Sequence, residues 1–159
     1  MLFWTVRPRT AWLWRPGYPS PFSLEVLELA AAAGLTDATI GPYFIVCKAD
    51  RGVVGEIGCD VDTVSGTAQV GYSVVEPLCG RGYATEALHA LIAHLLGRVG
   101  VRRVVAETLV EHTASRRVME KAGMRHCGDR IGEEDGRPAE LVVYEALPSG
   151  LPATGTGTC

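Results

Sequence analysis

The chain changes period at one place, and that place constrains the fold most. Upstream, AQVGYSVV (68–75) reads as a strand. Downstream, Ala84, Ala87, Leu88, Leu91, Ile92, Leu95 and Leu96 repeat at i, i+3, i+4, i+7, the spacing of one helix face. The junction holds Gly80 and Gly82 with Arg81 between them. A strand that enters a helix through two glycines predicts a mixed α/β layer. It also predicts an anion site. A helix N-terminus leaves N–H groups without intrahelical acceptors and carries partial positive charge. Glycines let a phosphate approach those groups closely, and Arg81 adds a full charge.

Three kinds of phosphate site share such a loop. A P-loop needs G-x-x-x-x-G-K-[ST], whose lysine and hydroxyl serve the terminal phosphates and magnesium. Gly80 to Thr85 supplies neither. A dinucleotide loop needs G-x-G-x-x-G after a parallel strand, and the sixth position here is Thr85. Glu107 lies about where a ribose-binding acid would be expected. The upstream strands, however, are closely connected and are expected to be antiparallel. That leaves an acyl-CoA pyrophosphate site or a plain strand-to-helix turn whose glycines serve tight geometry, and the flanks must decide between them.

The other elements follow from period and punctuation. Phe3 to Arg7 is read as a short strand, and SLEVLELAAAAG (23–34) as a helix capped by Ser23 and stopped by Gly34. Tyr43 to Ala49 and Val53 to Asp60 read as strands joined at Asp50-Arg51-Gly52. Gly71, inside the third strand, predicts a bulge or a close backbone approach. RRVVAETLV is read as a strand and HTASRRVMEKAG as a shorter helix. A final hairpin pairs Met124 to Ile131 with Glu140 to Ala146. The tail from residue 148 to 159 is expected to be disordered.

Composition excludes more than it selects. The 159 residues fit one domain, and a net charge of −3 offers no basic excess for nucleic acid. That charge is too small to choose an acceptor. Five cysteines without a Cys-x-x-Cys pair argue against zinc and against a disulfide framework, so free thiols are expected. No run approaches the ~18 apolar residues that span a bilayer. Arg7, Pro8 and Arg9 break the apolar N-terminal run, and no cleavage pattern follows. A cytoplasmic protein with no membrane partner is expected.

AQVGYSVVEPLCGRGYATEAL (68–88) resembles the acetyl-CoA-binding segment of the GNAT superfamily of N-acetyltransferases, whose pattern is Q/R-x-x-G-x-G/A. VVAETLVEHTASRRVMEKAGMR (104–125) is similar to the second family segment, a strand and short helix ending in Lys-x-Gly-(Phe/Met). The nearest branch is the RimJ/RimL type, ribosomal-protein alanine acetyltransferases. The resemblance covers residues 43–147 well and the first forty poorly. It implies an acyl-CoA N-acyltransferase fold: a mixed, mostly antiparallel sheet with a splayed central strand pair, flanked by helices. It implies one domain over 1–147, with 1–42 on the acceptor side. It implies acetyl-CoA as co-substrate without a metal, and direct transfer to a primary amine, either a protein N-terminus or a small molecule. A monomer or homodimer is expected.

The same resemblance assigns candidate residues. Val74, facing Ala106 to Leu109 across the splay, would offer backbone groups to the pantetheine arm. Cys79, Gly80, Arg81, Gly82, Tyr83, Ala84 and Thr85 would hold the pyrophosphate. Cys79 stands where the family has Gln or Arg, so the grip is expected to rest on backbone N–H groups and Arg81. Acetyl transfer needs an amine deprotonated, an oxyanion stabilised and a thiolate released. Glu107 and His112 are the candidate bases, with Glu56 behind them. Relatives often carry Tyr where this chain has Met119, so Ser115 is the candidate partner of the leaving sulfur. His112, Ser115 and Arg116 are also expected to touch the cofactor. Tyr72 and Tyr144 read as packing residues. The departures at Cys79, His112 and Met119 keep open a CoA-binding module that does not turn over.

Overall fold

The computed structural model describes residues 2–5, 13–14, 42–134 and 136–148. The expected helix over 23–34 and the tail from 149 lie outside them.

The described strands form one mixed sheet. They are β1 (Leu2–Thr5), β2 (Leu13–Trp14), β3 (Tyr43–Val46), β4 (Gly52–Asp62), β5 (Thr67–Val74), β6 (Arg103–Leu109), β7 (Arg125–Glu134) and β8 (Arg137–Ala146). The spatial order is β1-β3-β4-β5-β6-β8-β7, with β2 parallel to β4 beside that path. Two helices, α1 (Tyr83–His94) and α2 (Thr113–Lys121), connect β5 to β6 and β6 to β7.

Alternation along the strands sorts residues to two faces. Ala68 and Val70 of β5, Val104 and Ala106 of β6, and Val142 and Tyr144 of β8 share a core with Ala87, Leu88, Leu91 and Ile92 of α1 and Met119 of α2. Leu88 and Leu91 are almost fully buried, and each contributes about 1.5–3 kcal/mol by leaving water. That anchoring fixes the direction in which the α1 N-terminus points. The helix passes into one wide turn over Leu95–Val99 and stops at Gly100, which adopts φ 78°.

Most boundaries match the sequence reading, with differences that have physical causes. The hairpin strands run longer than expected, meeting at Gly136 with φ 74°. No bulge forms at Gly71: the β4–β5 ladder is continuous from Gly55↔Val74 to Asp62↔Thr67. The close approach falls on Gly55, where a Cβ would sit 2.1 Å from the Ser73 carbonyl oxygen. The register shift lies on the other edge of β4, between Ile45 and Val46 of β3. Cys47, Cys59 and Cys79 are free thiols, but Cys127 is disulfide-bonded, which departs from the expectation of free thiols.

Candidate functional site

β5 and β6 are parallel, and they pair over three positions: Thr67↔Arg103, Ala68↔Val104 and Gln69↔Val105. Beyond Gln69 the two strands separate. Each is held on its outer side, β5 by β4 up to Val74 and β6 by β8 up to Leu109. The inner edges of Val70–Val74 and Ala106–Leu109 therefore face a gap instead of each other. This fork is the splayed pair that the family resemblance implies, and Val74 lies on one prong of it.

The glycine loop stands at the mouth of the fork. After Val74 the chain makes one short turn (Glu76–Leu78) and enters α1 through Cys79 to Gly82. Gly80 and Gly82 have φ 76° and 85°, conformations that other residues rarely hold. A Cβ at either would meet nothing within 4 Å, so both open onto free space. No side chain caps the helix. Cys79 to Gly82 are exposed, and the first-turn N–H groups of Tyr83, Ala84 and Thr85 have no acceptor within the helix by construction. Cys79 turns away from this cradle. Its thiol donates to the carbonyls of Val74 (3.6 Å) and Val75 (3.7 Å). Backbone N–H groups and the Arg81 cation remain for an anion.

At the far side of the fork, Tyr72 of β5 reaches α2. Its Oη lies 2.9 Å from Ser115 Oγ and 3.2 Å from the Ser115 carbonyl. Burial pushes the Tyr72 phenol above its ordinary value, partly offset by the Ser115 hydrogen bond. Ser115 is thus brought to the fork, together with a tyrosine read from the sequence as packing. His112 precedes α2 and does not cap it through its side chain. Its Nδ1 is 3.2 Å from Thr108 Oγ1, and the ring is exposed. Arg116 is turned inward: Nη1 donates to the Val110 carbonyl at 3.1 Å. Its guanidinium is raised above its ordinary value chiefly by a hydrogen bond to Tyr144. Tyr144 in turn is 2% exposed and donates to Glu120 Oε1 at 2.8 Å.

Glu107 lies on the sheet face opposite the helices. Arg130 of β7 grips it with two hydrogen bonds, Nη2 to Oε1 at 2.6 Å and Nε to Oε2 at 2.8 Å. Gln69 Nε2 donates to Oε1 at 3.1 Å. The Glu107 pair raises the Arg130 guanidinium above its ordinary value. Glu56 is on this face too, opposite Ser73 in the ladder, and is 4% exposed. The structure brings Val74, the glycine loop, Tyr72 and Ser115 to one fork, with Glu107 behind it. Tyr72, Gln69 and Arg130 were missed from sequence. Tyr72 and Gln69 could have been found from strand alternation beside the loop, whereas Arg130 depends on the β7–β8 register.

A parallel pair that forks beside an open helix N-terminus defines an acyl-CoA N-acyltransferase fold. The chain belongs to the GNAT acetyltransferase family: the model of the Acetyltransferase (GNAT) domain matches residues 2–125. Among solved structures, RimJ of Mycobacterium smegmatis in complex with CoA-disulfide is 25% identical with TM-score 0.69, the alignment covering 83% of this chain and 64% of that one. A putative ribosomal-protein-serine acetyltransferase of Vibrio cholerae is 20% identical with TM-score 0.68, covering 82% and 76%. A mutant form of the spermidine N-acetyltransferase SpeG of Vibrio cholerae is 14% identical with TM-score 0.65, covering 79% and 75%. No curated protein sequence matches the chain significantly.

Proposed function

We propose that the protein transfers an acetyl group from acetyl-CoA directly to a primary amine, and that the fork is where the two substrates meet. The observation that carries this reading is the three-pair parallel ladder that ends at Gln69↔Val105, with Gly80 and Gly82 open at its mouth. In this reading Arg81 and the N–H groups at the start of α1 hold the pyrophosphate. The inner edge of β5 up to Val74 hydrogen-bonds the pantetheine arm as an added strand would. That bound RimJ is among the similar structures is consistent with a CoA group here. When bound, acetyl-CoA supplies the activated thioester.

The chain's own groups do the rest. Tyr72 and Ser115 present hydroxyls to the end of the gap and would donate a hydrogen bond to the departing sulfur. Glu107 would receive the amine from the other face, directly or through a water, once its grip by Arg130 and Gln69 loosens. Three donors already occupy that carboxylate, so an amine that is partly neutral before it arrives suits the site: an α-amine, whose ordinary pKa of about 8 leaves a useful neutral fraction, over an alkylamine near 10.4. His112, exposed beside Thr108, is the second candidate for the proton. A protein N-terminus, a peptide or an amino acid is the acceptor class that this chemistry suits.

The test is a melting-temperature shift with acetyl-CoA and with CoA, followed by free-thiol release across amine classes. Stabilisation by both, with thiol released on α-amines, supports the reading. No shift with either ligand would falsify it.

A further inference from the structure

On the face away from α1 and α2, over the paired rungs where the fork closes, lies a cavity of about 230 Å³ lined by Thr67, Gln69, Arg103, Glu107, Arg130 and Val143 among others. That is smaller than most small-molecule sites, which run to about 300–1,000 Å³, and suits one amino-acid-sized group. Glu107 is the single acid among the described lining residues. It is already matched: both its oxygens accept from Arg130 and one also from Gln69. Arg103, a second cation in the wall, donates from Nε to Glu145 Oε2 at 2.7 Å. That carboxylate also serves Arg125. The wall therefore presents two guanidiniums and one satisfied carboxylate.

We propose that Arg130 is a specificity-determining residue, which sets this cavity against acceptors carrying a second positive charge beside the reacting amine and favours an acidic or uncharged neighbour there. The inference rests on the fork's being the acetyl-transfer site. A second cation entering the cavity meets like charge at short range, and the one acid among the described lining residues, Glu107, is already engaged. Like-charge juxtaposition is the repulsive element from which specificity is often built. An acidic neighbour meets the Arg130 guanidinium instead, which carries more N–H donors than the bonds it makes to Glu107 and to the Ile131 carbonyl. Polyamines, and N-termini followed by a basic residue, are the acceptors excluded. The overall charge of −3 gives no hint of this, because the cavity wall has the opposite balance from the chain.

The test uses two matched peptide amides, Ala-Glu and Ala-Lys, with spermidine as a polycation. Binding is measured by calorimetry on the CoA-loaded protein, and turnover by thiol release with acetyl-CoA, for the wild type and Arg130→Gln. Wild type is expected to favour Ala-Glu over Ala-Lys and spermidine by about tenfold or more. Arg130→Gln is expected to bring the ratio below about threefold, with melting temperature and CoA affinity unchanged. Equal or reversed preference in the wild type, an unchanged ratio in the variant, or no binding of any probe overturns the proposal. Discrimination in binding without thiol release on any amine overturns the acetyltransferase reading, and with it the proposal that rests on it. Thiol release without discrimination overturns the proposal alone.

Discussion

Tyr72 Oη lies 2.9 Å from Ser115 Oγ, tying β5 to the first turn of α2 across the open end of the fork. The pair places a phenol where the sequence offered only a serine. An ordinary thiol titrates near 8.5 and Tyr72 above its usual 10, so full proton transfer from Tyr72 to a thiolate runs uphill. Tyr72 is expected to donate a hydrogen bond and keep its proton. Tyr72→Phe should lower kcat on the order of 10–100-fold and cost about 0.5–1.5 kcal/mol of stability. The wild-type rate should show no alkaline decline from this group below pH 10. Stopped-flow thiol release and urea titration measure the two effects, and an unchanged kcat would leave the pair a structural tie.

The loop at α1 can be probed without confusing strain with charge. Gly82 has φ 85°, a conformation that Asn and Asp accept better than other non-glycine residues. Gly82→Asn and Gly82→Asp should therefore fold alike. The aspartate places a negative charge at the anion cradle, so CoA affinity should fall about 30-fold or more in Gly82→Asp and much less in Gly82→Asn. Equal affinities by calorimetry would move the pyrophosphate elsewhere.

Glu145 is 2% exposed and accepts from Arg103 Nε at 2.7 Å and Arg125 Nη2 at 2.5 Å. The two arginines are 28% and 44% exposed, so they can rehydrate if the acid is removed. The buried carboxylate cannot. Replacing both arginines by Met should cost about 3–5 kcal/mol, whereas Glu145→Met should cost far less. Urea unfolding midpoints decide the order, and the reverse order would show that the arginines, not the acid, are the burdened side.

Cys59 gives a pH signature. Burial, helped by the neighbouring Asp60 charge, raises its thiol from 9.0 to about 11. The folded value exceeds the unfolded one, so this contribution to stability is whole below pH 9 and is lost as pH rises from 9 to 11. Wild type should lose more stability than Cys59→Ala between pH 8 and pH 10.5, measured by urea midpoint. Parallel losses would mean that the thiol titrates alike in both states.

The architecture was legible where one local signal sufficed. The glycines at 80 and 82 announced the start of α1, and the apolar repeat from Ala84 to Leu96 announced its buried face. The fork itself was expected from family resemblance and is visible in the short β5–β6 register. What stayed hidden depends on residues far apart in sequence. Arg130 reaches Glu107 because β7 is two strands away from β6 and its pairing puts the side chain over that gap. Gly71 misled for a related reason. A glycine inside a strand signals a close approach somewhere, but Gly55, not Gly71, faces the Ser73 carbonyl. Arg116 was read from its type as touching the cofactor, and its bond to the Val110 carbonyl depends on the turn between β6 and α2, which the sequence does not display.

The short seam between β5 and β6 divides the sheet into two leaves, β1 to β5 on one side and β6 to β8 on the other. A ligand lying along the gap supplies rungs that the chain itself lacks, and so acts as part of the scaffold. On the proposed function, CoA would supply those rungs. Its departure takes those rungs away, so the two leaves are expected to move more freely against each other in the empty protein than in the loaded one.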